Sequence, residues 1–244
     1  MDFQRLDAFP TDAAENGAAE DGDFRGAKRT SGLELPKPSR ELALQLIRLT
    51  LSDPCLLTAV ARRSTFHENG FVKIPLTRDN HCSIRLHIWQ TTEKHLWAEN
   101  VHDHRFSFQS CVLAGALEHR PWSRSPRGEI KSCFHYFPAS GSSAYRILYC
   151  GEEAIAPGEA LQIVEGGEYR MNARELHQVR ALAPETVTFL VEDRFELDSF
   201  ATVFSERYDR QIASIKPAIL NEADCLALLE RTLARITPHA HRVR

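Results

Sequence analysis

Two histidines one residue apart, His102-Asp103-His104, and a third far downstream, His177, are the side chains of this chain best suited to chemistry. Side chains alternate along a strand, so residues two apart face the same way, and His102 and His104 can offer two imidazoles to one ion. Two imidazoles alone hold a first-row divalent ion weakly, so a third ligand has to arrive from elsewhere in the fold. His177 is the best placed to supply it. It lies in a turn-rich stretch, residues 166–179, between the apolar runs 160–164 and 187–191. That pattern reads as turn, short strand and strand, with the histidine near a strand start. Asp103 points the other way by the same alternation, as a surface residue or an acceptor behind an imidazole.

A second group precedes the histidine pair. Arg85, His87 and Trp89 alternate with Ile84, Leu86 and Ile88, so this strand has one mixed and one apolar face. If the mixed face lines a cavity, Arg85 and His87 meet an anionic or hydrogen-bonding substrate; if it faces water, they are ordinary surface residues. Gln109 and Tyr169 are further candidates for substrate contact. His239-Ala240-His241 repeats the spacing of the first pair, but it follows Pro238 at the chain end without a β pattern around it and reads as a mobile tail. Cys111, beside Phe108 and Val112, reads as a packed apolar residue rather than a nucleophile.

The elements that must position these residues follow from pattern. The chain has 244 residues, enough for a full core in one all-β domain with appendages. Residues 1–35 are rich in Ala, Gly, Asp and Glu and are expected to form a disordered or mobile tail. Over 36–70, an apolar face running from Leu42 to Leu51 after Ser39, then Ser52-Asp53-Pro54 as a cap and early-turn proline, predict two helices. Short β-like runs fill 71–205, with expected turns at Gly115, Pro121, Pro126-Arg127-Gly128, Pro138, Gly141, Gly151, Pro157-Gly158, Gly166-Gly167 and Pro184; that spacing favours a sandwich or barrel. Within 206–244, Asn221 as cap and a stripe of Leu226, Leu229, Leu233 and Ile236 predict a last helix before a tail.

A net charge of −3 leaves no electrostatic footprint for nucleic acid. No run approaches the roughly 20 apolar residues of a membrane span, and no signal-peptide pattern opens the chain. The expectation is a cytoplasmic protein whose partner is a small molecule. Six cysteines form no CxxC pair and are expected to be reduced.

Taken together, these residues resemble the cupin superfamily, whose first motif runs Gly, five residues, His-x-His, three or four residues, Glu, six residues, Gly. Here His102, His104 and Gly115 keep that spacing, Leu96 stands at the first glycine, and Phe108 or Gln109 stands at the acidic position. The second motif runs Gly, five residues, Pro-x-Gly, two residues, His, three residues, Asn; Gly166 and His177 keep their separation, and Asn172, Arg174 and Ala181 replace the others. The resemblance implies an all-β fold, the cupin jelly roll or double-stranded β-helix, with N-terminal helices and a C-terminal helix outside it.

Within cupins the chain resembles the three-histidine, cysteine-dioxygenase-like thiol dioxygenases, through Leu86-His87-Ile88-Trp89, Val101-His102-Asp103-His104 and Leu176-His177-Gln178-Val179 over about residues 71–195. That resemblance implies Fe(II) on His102, His104 and His177, with O2 and a small, thiol-bearing molecule as substrates; Zn, Mn or Ni suit the same ligands. It also sets Lys73 where the cysteine-specific members carry a carboxylate-binding arginine, and Glu192 near the place of their late tyrosine. Lys73 pairs with an anion as a point charge rather than a planar fork. Cupins commonly pair, so a homodimer is the expected assembly. The other readings of the same residues are a metal-dependent isomerase or decarboxylase that needs no oxygen, and a ligand-binding cupin without activity.

Overall fold

The computed structural model describes residues 35–78, 82–89, 100–138, 144–193, 200–206, 208 and 214–238. The chain divides into two units, Met1–Thr30 and Ser31–Arg244, and every described residue belongs to the second. Of the expected N-terminal tail only Leu35 is among them; Leu96, Gly141 and His239-Ala240-His241 lie outside the described residues.

Eight of the strands run in the order of a jelly roll. β3 (Cys82–Trp89), β5 (Phe108–Ala114), β9 (Glu168–Met171) and β11 (Thr186–Asp193) form one sheet in the order β3-β11-β5-β9. β4 (Val101–His102), β6 (Ala116–Pro138), β8 (Leu161–Val164) and β10 (His177–Ala181) form the other, in which β10 joins β4 to β6 and β8 joins the far side of β6. Every pairing is antiparallel. β1 (Thr65–Phe66) and β2 (Phe71–Arg78) extend the first sheet beyond β3. The fold is the cupin-type jelly roll.

Alternation along these strands sorts the core into two layers. Ile84, Leu86 and Ile88 of β3 and Val187, Phe189 and Val191 of β11 face the helices, with Ala43, Ile47, Val60, Leu228 and Leu229 packed on them. Phe71, Trp89, Val112, Leu117, Val179 and Ala181 form a separate cluster between the sheets. The mixed face of β3 is therefore the inner one.

Local chemistry starts each helix. In α1 (Arg40–Ser52) the Ser39 hydroxyl accepts the Leu42 N–H at 3.2 Å. α2 (Pro54–Ala61) is capped by Asp53 rather than Ser52: Asp53 Oδ1 accepts the N–H groups of Cys55 at 2.8 Å and Leu56 at 3.2 Å. Pro54 then occupies the first helical position, where a missing N–H costs nothing. In α3 (Glu222–Ile236) Asn221 Oδ1 accepts the Asp224 N–H at 2.8 Å. Its buried stripe is Cys225, Leu228, Leu229, Thr232 and Ile236, with Leu226 and Leu233 only partly buried beside it. The expected stripe is rotated because the helix packs on α1 and α2 as well as on the sheet, which widens the buried arc.

Three expected turns are absent. β6 runs through Pro121 and 126–128, and β7 (Tyr145–Pro157) runs through Gly151. Arg124 and Glu129 both pair with Ile155, so residues 125–128 bulge out of a ladder that resumes afterwards. A Cβ on Gly128 would lie 2.3 Å from the Ile155 carbonyl oxygen, so glycine lets the chain close back onto β7. The resulting β6–β7 hairpin outgrows the jelly roll. β12 (Ala201–Phe204) pairs with β6 and β4, and β13 (Ser214–Ile215) pairs with β7.

Gly115 links β5 to β6 at φ +79°, and a Cβ there would lie 2.4 Å from Thr186 Oγ1. Left-handed backbone and a steric clash act together, so Gly115→Ala is expected to destabilise the protein by about 3 kcal/mol. A chemical-denaturation midpoint unchanged from wild type would contradict this.

The six cysteines are free thiols. Cys111 is 5% exposed in the helix-side core, and burial pushes its thiol up to about 12, so it is a packing residue. Among the described residues no single helix is long and apolar enough to cross a membrane. The bent pair α1–α2 has the length, but its buried apolar residues lie against the sheet and α3.

Candidate metal centre

The ladder brings the three histidines together. His102 ends β4 and His177 begins β10, and the two are direct partners in the antiparallel register. His104 follows two residues later, its carbonyl oxygen accepting the Arg174 N–H at 3.1 Å. His177 Nε2 lies 3.1 Å from His104 Nε2 and 3.3 Å from His102 Nε2. All three ligand atoms lie within 4.8 Å of one another, and no carboxylate joins them among the described residues. Metal–nitrogen bonds of about 2.1 Å set neighbouring nitrogens about 3.0 Å apart at right angles and about 3.4 Å apart at the tetrahedral angle. The two short separations fall in that interval, so the donor set can hold a metal ion.

Hydrogen bonds behind the rings fix which nitrogen is offered. His102 Nδ1 lies 3.0 Å from the Asn100 carbonyl oxygen, which only accepts, so Nδ1 carries the proton and Nε2 is left to ligate. His177 Nδ1 lies 3.2 Å from His119 Nε2. When His177 Nε2 ligates, its Nδ1–H donates to His119, a residue that sequence reading missed. The signal was available: His119 shares parity with Leu117, and Leu117 packs in the cluster between the sheets. His104 is held by packing instead. Phe108, at the acidic position of the cupin motif, stands edge-on to it with ring centroids 4.9 Å apart, and packs with Met171 and Leu190.

Asp103 is neither exposed nor behind an imidazole. It is 2% exposed; its Oδ1 accepts the Thr202 N–H at 2.6 Å, and Arg174 Nη1 lies 3.5 Å from its Oδ2. It therefore ties the ligand segment to β12. Burial pushes its carboxyl upward, against the pull of Thr202 and Arg174.

Of the substrate candidates, Lys73, Arg85 and His87 lie on the inner face, Lys73 and His87 as register partners and Arg85 ion-paired to Glu192. Tyr169 lies against Phe108 and His119, with centroids 6.0 and 5.6 Å away. Gln109 is not brought to the site. It sits in register with Val191, whose side chain belongs to the helix-side core, so alternation turns it away from the histidines.

Burial depresses the imidazoles. His102 falls to about 4, and His67, His87, His104 and His177 fall well below the ordinary value. All are neutral at pH 7, the form in which an imidazole ligates. The unfolded chain binds protons near 6.5, and the native one only at lower pH. The stability these groups contribute is thus complete above about 6.5 and is lost as pH falls towards 4. Denaturant midpoints of metal-free protein are expected to drop steadily between pH 7 and 5; a flat profile would contradict the burial of these rings.

No protein-family model matches the chain, and no curated protein matches its sequence. Among solved structures it is similar to KdgF from a Halomonas species, with 14% identity and a TM-score of 0.33 over 54% of this chain and 86% of that one. It is also similar to an RmlC-like cupin from Shewanella frigidimarina, with 14% identity and a TM-score of 0.30 over 60% and 86% of the two chains. A third similarity is to the hydroxypropylphosphonic acid epoxidase from S. wedmorenis, at 11% identity and a TM-score of 0.30 over 51% of this chain and half (50%) of that enzyme. The strand order β3-β11-β5-β9 against β4-β10-β6-β8, rather than any of these distant likenesses, identifies the fold as a cupin-type jelly roll, and its second sheet carries His102 and His177 side by side.

Proposed function

We propose that this protein is a mononuclear non-haem Fe(II) dioxygenase acting on a small molecule. The observation that carries the reading is a convergent set of three neutral imidazoles with an aromatic ring, Phe108, where a fourth, anionic ligand would stand. Three neutral donors leave a divalent ion its full charge and about three open positions in an octahedral shell. Bound there, Fe(II) would supply a Lewis acid and the one-electron chemistry that O2 requires. The chain's own residues hold and orient: Asn100 and His119 set the imidazole tautomers, Asp103 anchors the ligand segment, and Phe108, Met171 and Leu190 keep one side dry. The partners in this reading are O2 and a small-molecule substrate, thiols first among those to try, with a homodimer as the assembly.

The test is oxygen uptake by Fe(II)-loaded protein across thiols, amino acids and aromatic compounds. Substrate-dependent uptake above a free-iron control, lost in His177→Ala, is expected. Turnover that proceeds equally without oxygen would replace this reading with a metal-dependent isomerase or decarboxylase. Tight ligand binding with no product under air and reductant would leave a binding protein.

A further inference from the structure

Three polar groups on the inner face of the first sheet are buried without a hydrogen-bond partner among the described residues: Ser110 Oγ, Thr188 Oγ1 and His87 Nε2. Ser110 and Thr188 are fully buried, and His87 is 8% exposed. Register sets the three together. His87 and Thr188 are direct partners across β3 and β11. Leu190, two residues from Thr188 on the same face, is the partner of Ser110 across β11 and β5. Direct partners have Cβ atoms about 5 Å apart and diagonal ones about 7–8 Å, so the three side chains form one short polar band.

Ring contacts and register tie the band to the three histidines. Phe108, two residues before Ser110 on the same face of β5, has its ring centroid 4.9 Å from that of His104 and 6.3 Å from that of His177. On its other side Ser110 is the register partner of Tyr169. The Tyr169 ring lies 5.6 Å from that of His119, the residue behind His177. Ser110 thus stands in the row next to the Phe108 that touches the ligands. Thr188 and His87 stand one row deeper, level with Val112, which packs on Leu117 and Val179 as the floor between the sheets.

The band is uncharged. A Ser or Thr hydroxyl both donates and accepts, and the Nε2 of a neutral imidazole takes either role according to its tautomer. Burial keeps His87 neutral at pH 7. The two cations beside the band are engaged elsewhere: Arg85 pairs with Glu192, and Lys73, the partner of His87 on β2, donates to Tyr145 Oη on the hairpin at 3.2 Å. Buried polar groups in a native protein are normally matched, so three unmatched ones on one inner face call for a partner from outside the chain. Groups that donate and accept without charge suit a hydroxyl, which does both, better than a carboxylate, which only accepts.

We propose that Ser110, Thr188 and His87 form a subsite for an uncharged, hydroxylated end of the substrate, a vicinal diol in the simplest case, whose other end faces His102, His104 and His177. The proposal rests on the metal-dependent reading only in calling this ligand the substrate. The subsite itself is built entirely from protein groups, and it offers no charge to a carboxylate-bearing thiol.

The test compares three small thiols, thioglycerol, propanethiol and mercaptopropionate, titrated calorimetrically into metal-free and Co(II)-loaded protein. Thioglycerol is expected to bind both forms at least about tenfold more tightly than propanethiol, as hydrogen bonds to otherwise unpaired groups require. Ser110→Ala and Thr188→Val are each expected to cut that preference about three- to tenfold, with propanethiol affinity and the visible spectrum of bound Co(II) unchanged, and Thr188→Ser, which keeps a hydroxyl, to retain most of it. Without ligand, neither Ser110→Ala nor Thr188→Val is expected to lower the urea midpoint, because each removes a hydroxyl that is unpaired. Equal affinity for thioglycerol and propanethiol, or tighter binding of mercaptopropionate than of thioglycerol to metal-free protein, would overturn the subsite. So would lowered urea midpoints in both variants with thioglycerol affinity untouched, because the hydroxyls would then hold internal water alone. A thioglycerol preference in a protein that takes up no Co(II) would instead sink the function proposed above and leave the subsite standing.

Discussion

His177→Ala will lose stoichiometric binding of Fe(II), Co(II) or Zn(II), while the protein stays folded. His177 Nε2 is the nitrogen within 3.1 and 3.3 Å of both other ligands, so its removal leaves two imidazoles that no longer share a neighbour. Replacing a group behind a ligand typically costs 10–100-fold in affinity, so loss of a ligand itself is expected to exceed about 100-fold. His119→Phe provides the graded comparison. It removes only the acceptor for His177 Nδ1–H, and the expected loss is about 10–100-fold. Titration followed by metal analysis, with circular dichroism to confirm the fold, separates these outcomes. Unchanged stoichiometry in His177→Ala would sink the site.

Asp103→Ala is expected to destabilise the protein by about 2–3 kcal/mol and to weaken metal binding with it. The alanine leaves the Thr202 N–H, which donates to Asp103 at 2.6 Å, without an acceptor in a buried setting. The Arg174 contact adds less, because at 3.5 Å its guanidinium is 38% exposed and partly screened. Asp103→Asn should behave differently. Burial raises the carboxyl, which means that the charged form is held at a cost in the native state above its usual titration range. An asparagine keeps an oxygen for Thr202 and removes that cost, so its loss is expected to stay below about 1 kcal/mol. Urea denaturation of the two variants decides the matter; equal losses would mean that the charge, not the hydrogen bond, anchors the segment.

Arg174 shows how the site departs from the cupin motif and keeps its geometry. The motif has glycine at this place, and the structure puts Arg174 at φ +71°, a left-handed conformation costing about 1–2 kcal/mol in an ordinary residue. Its N–H on the His104 carbonyl, its contact with Asp103 and its guanidinium over the Phe200 ring at 4.3 Å offset that strain. A position that reads as motif decay is thus a contact to the ligand segment. The sequence pattern could not reveal this, because the partners come from two separate stretches of chain, 103–104 and 200, both distant from Arg174 in sequence.

What the chain determined by itself was whatever depends on near neighbours. Caps at Ser39, Asp53 and Asn221 are hydrogen bonds within three residues, and alternation along 84–89 follows from the backbone's period of two. His-x-His spacing kept two imidazoles close together, although β4 ends at His102 and His104 lies just beyond it. Tertiary structure decided everything that depends on which strands meet. Register alone made His177 the partner of His102, turned Gln109 towards the helices, and set His119 behind His177. It also continued β6 through Pro126-Arg127-Gly128, where local chemistry predicted a turn, because bulging 125–128 preserved the ladder with β7. Turn propensity amounts to roughly 1 kcal/mol per residue, and a long antiparallel ladder with buried neighbours outweighs it. The inner face of β3 is the same case at larger scale: Arg85, His87 and Trp89 read equally well as surface or cavity until the helices cover the opposite face, and burial of Ile84, Leu86 and Ile88 leaves the polar face only the inside of the barrel.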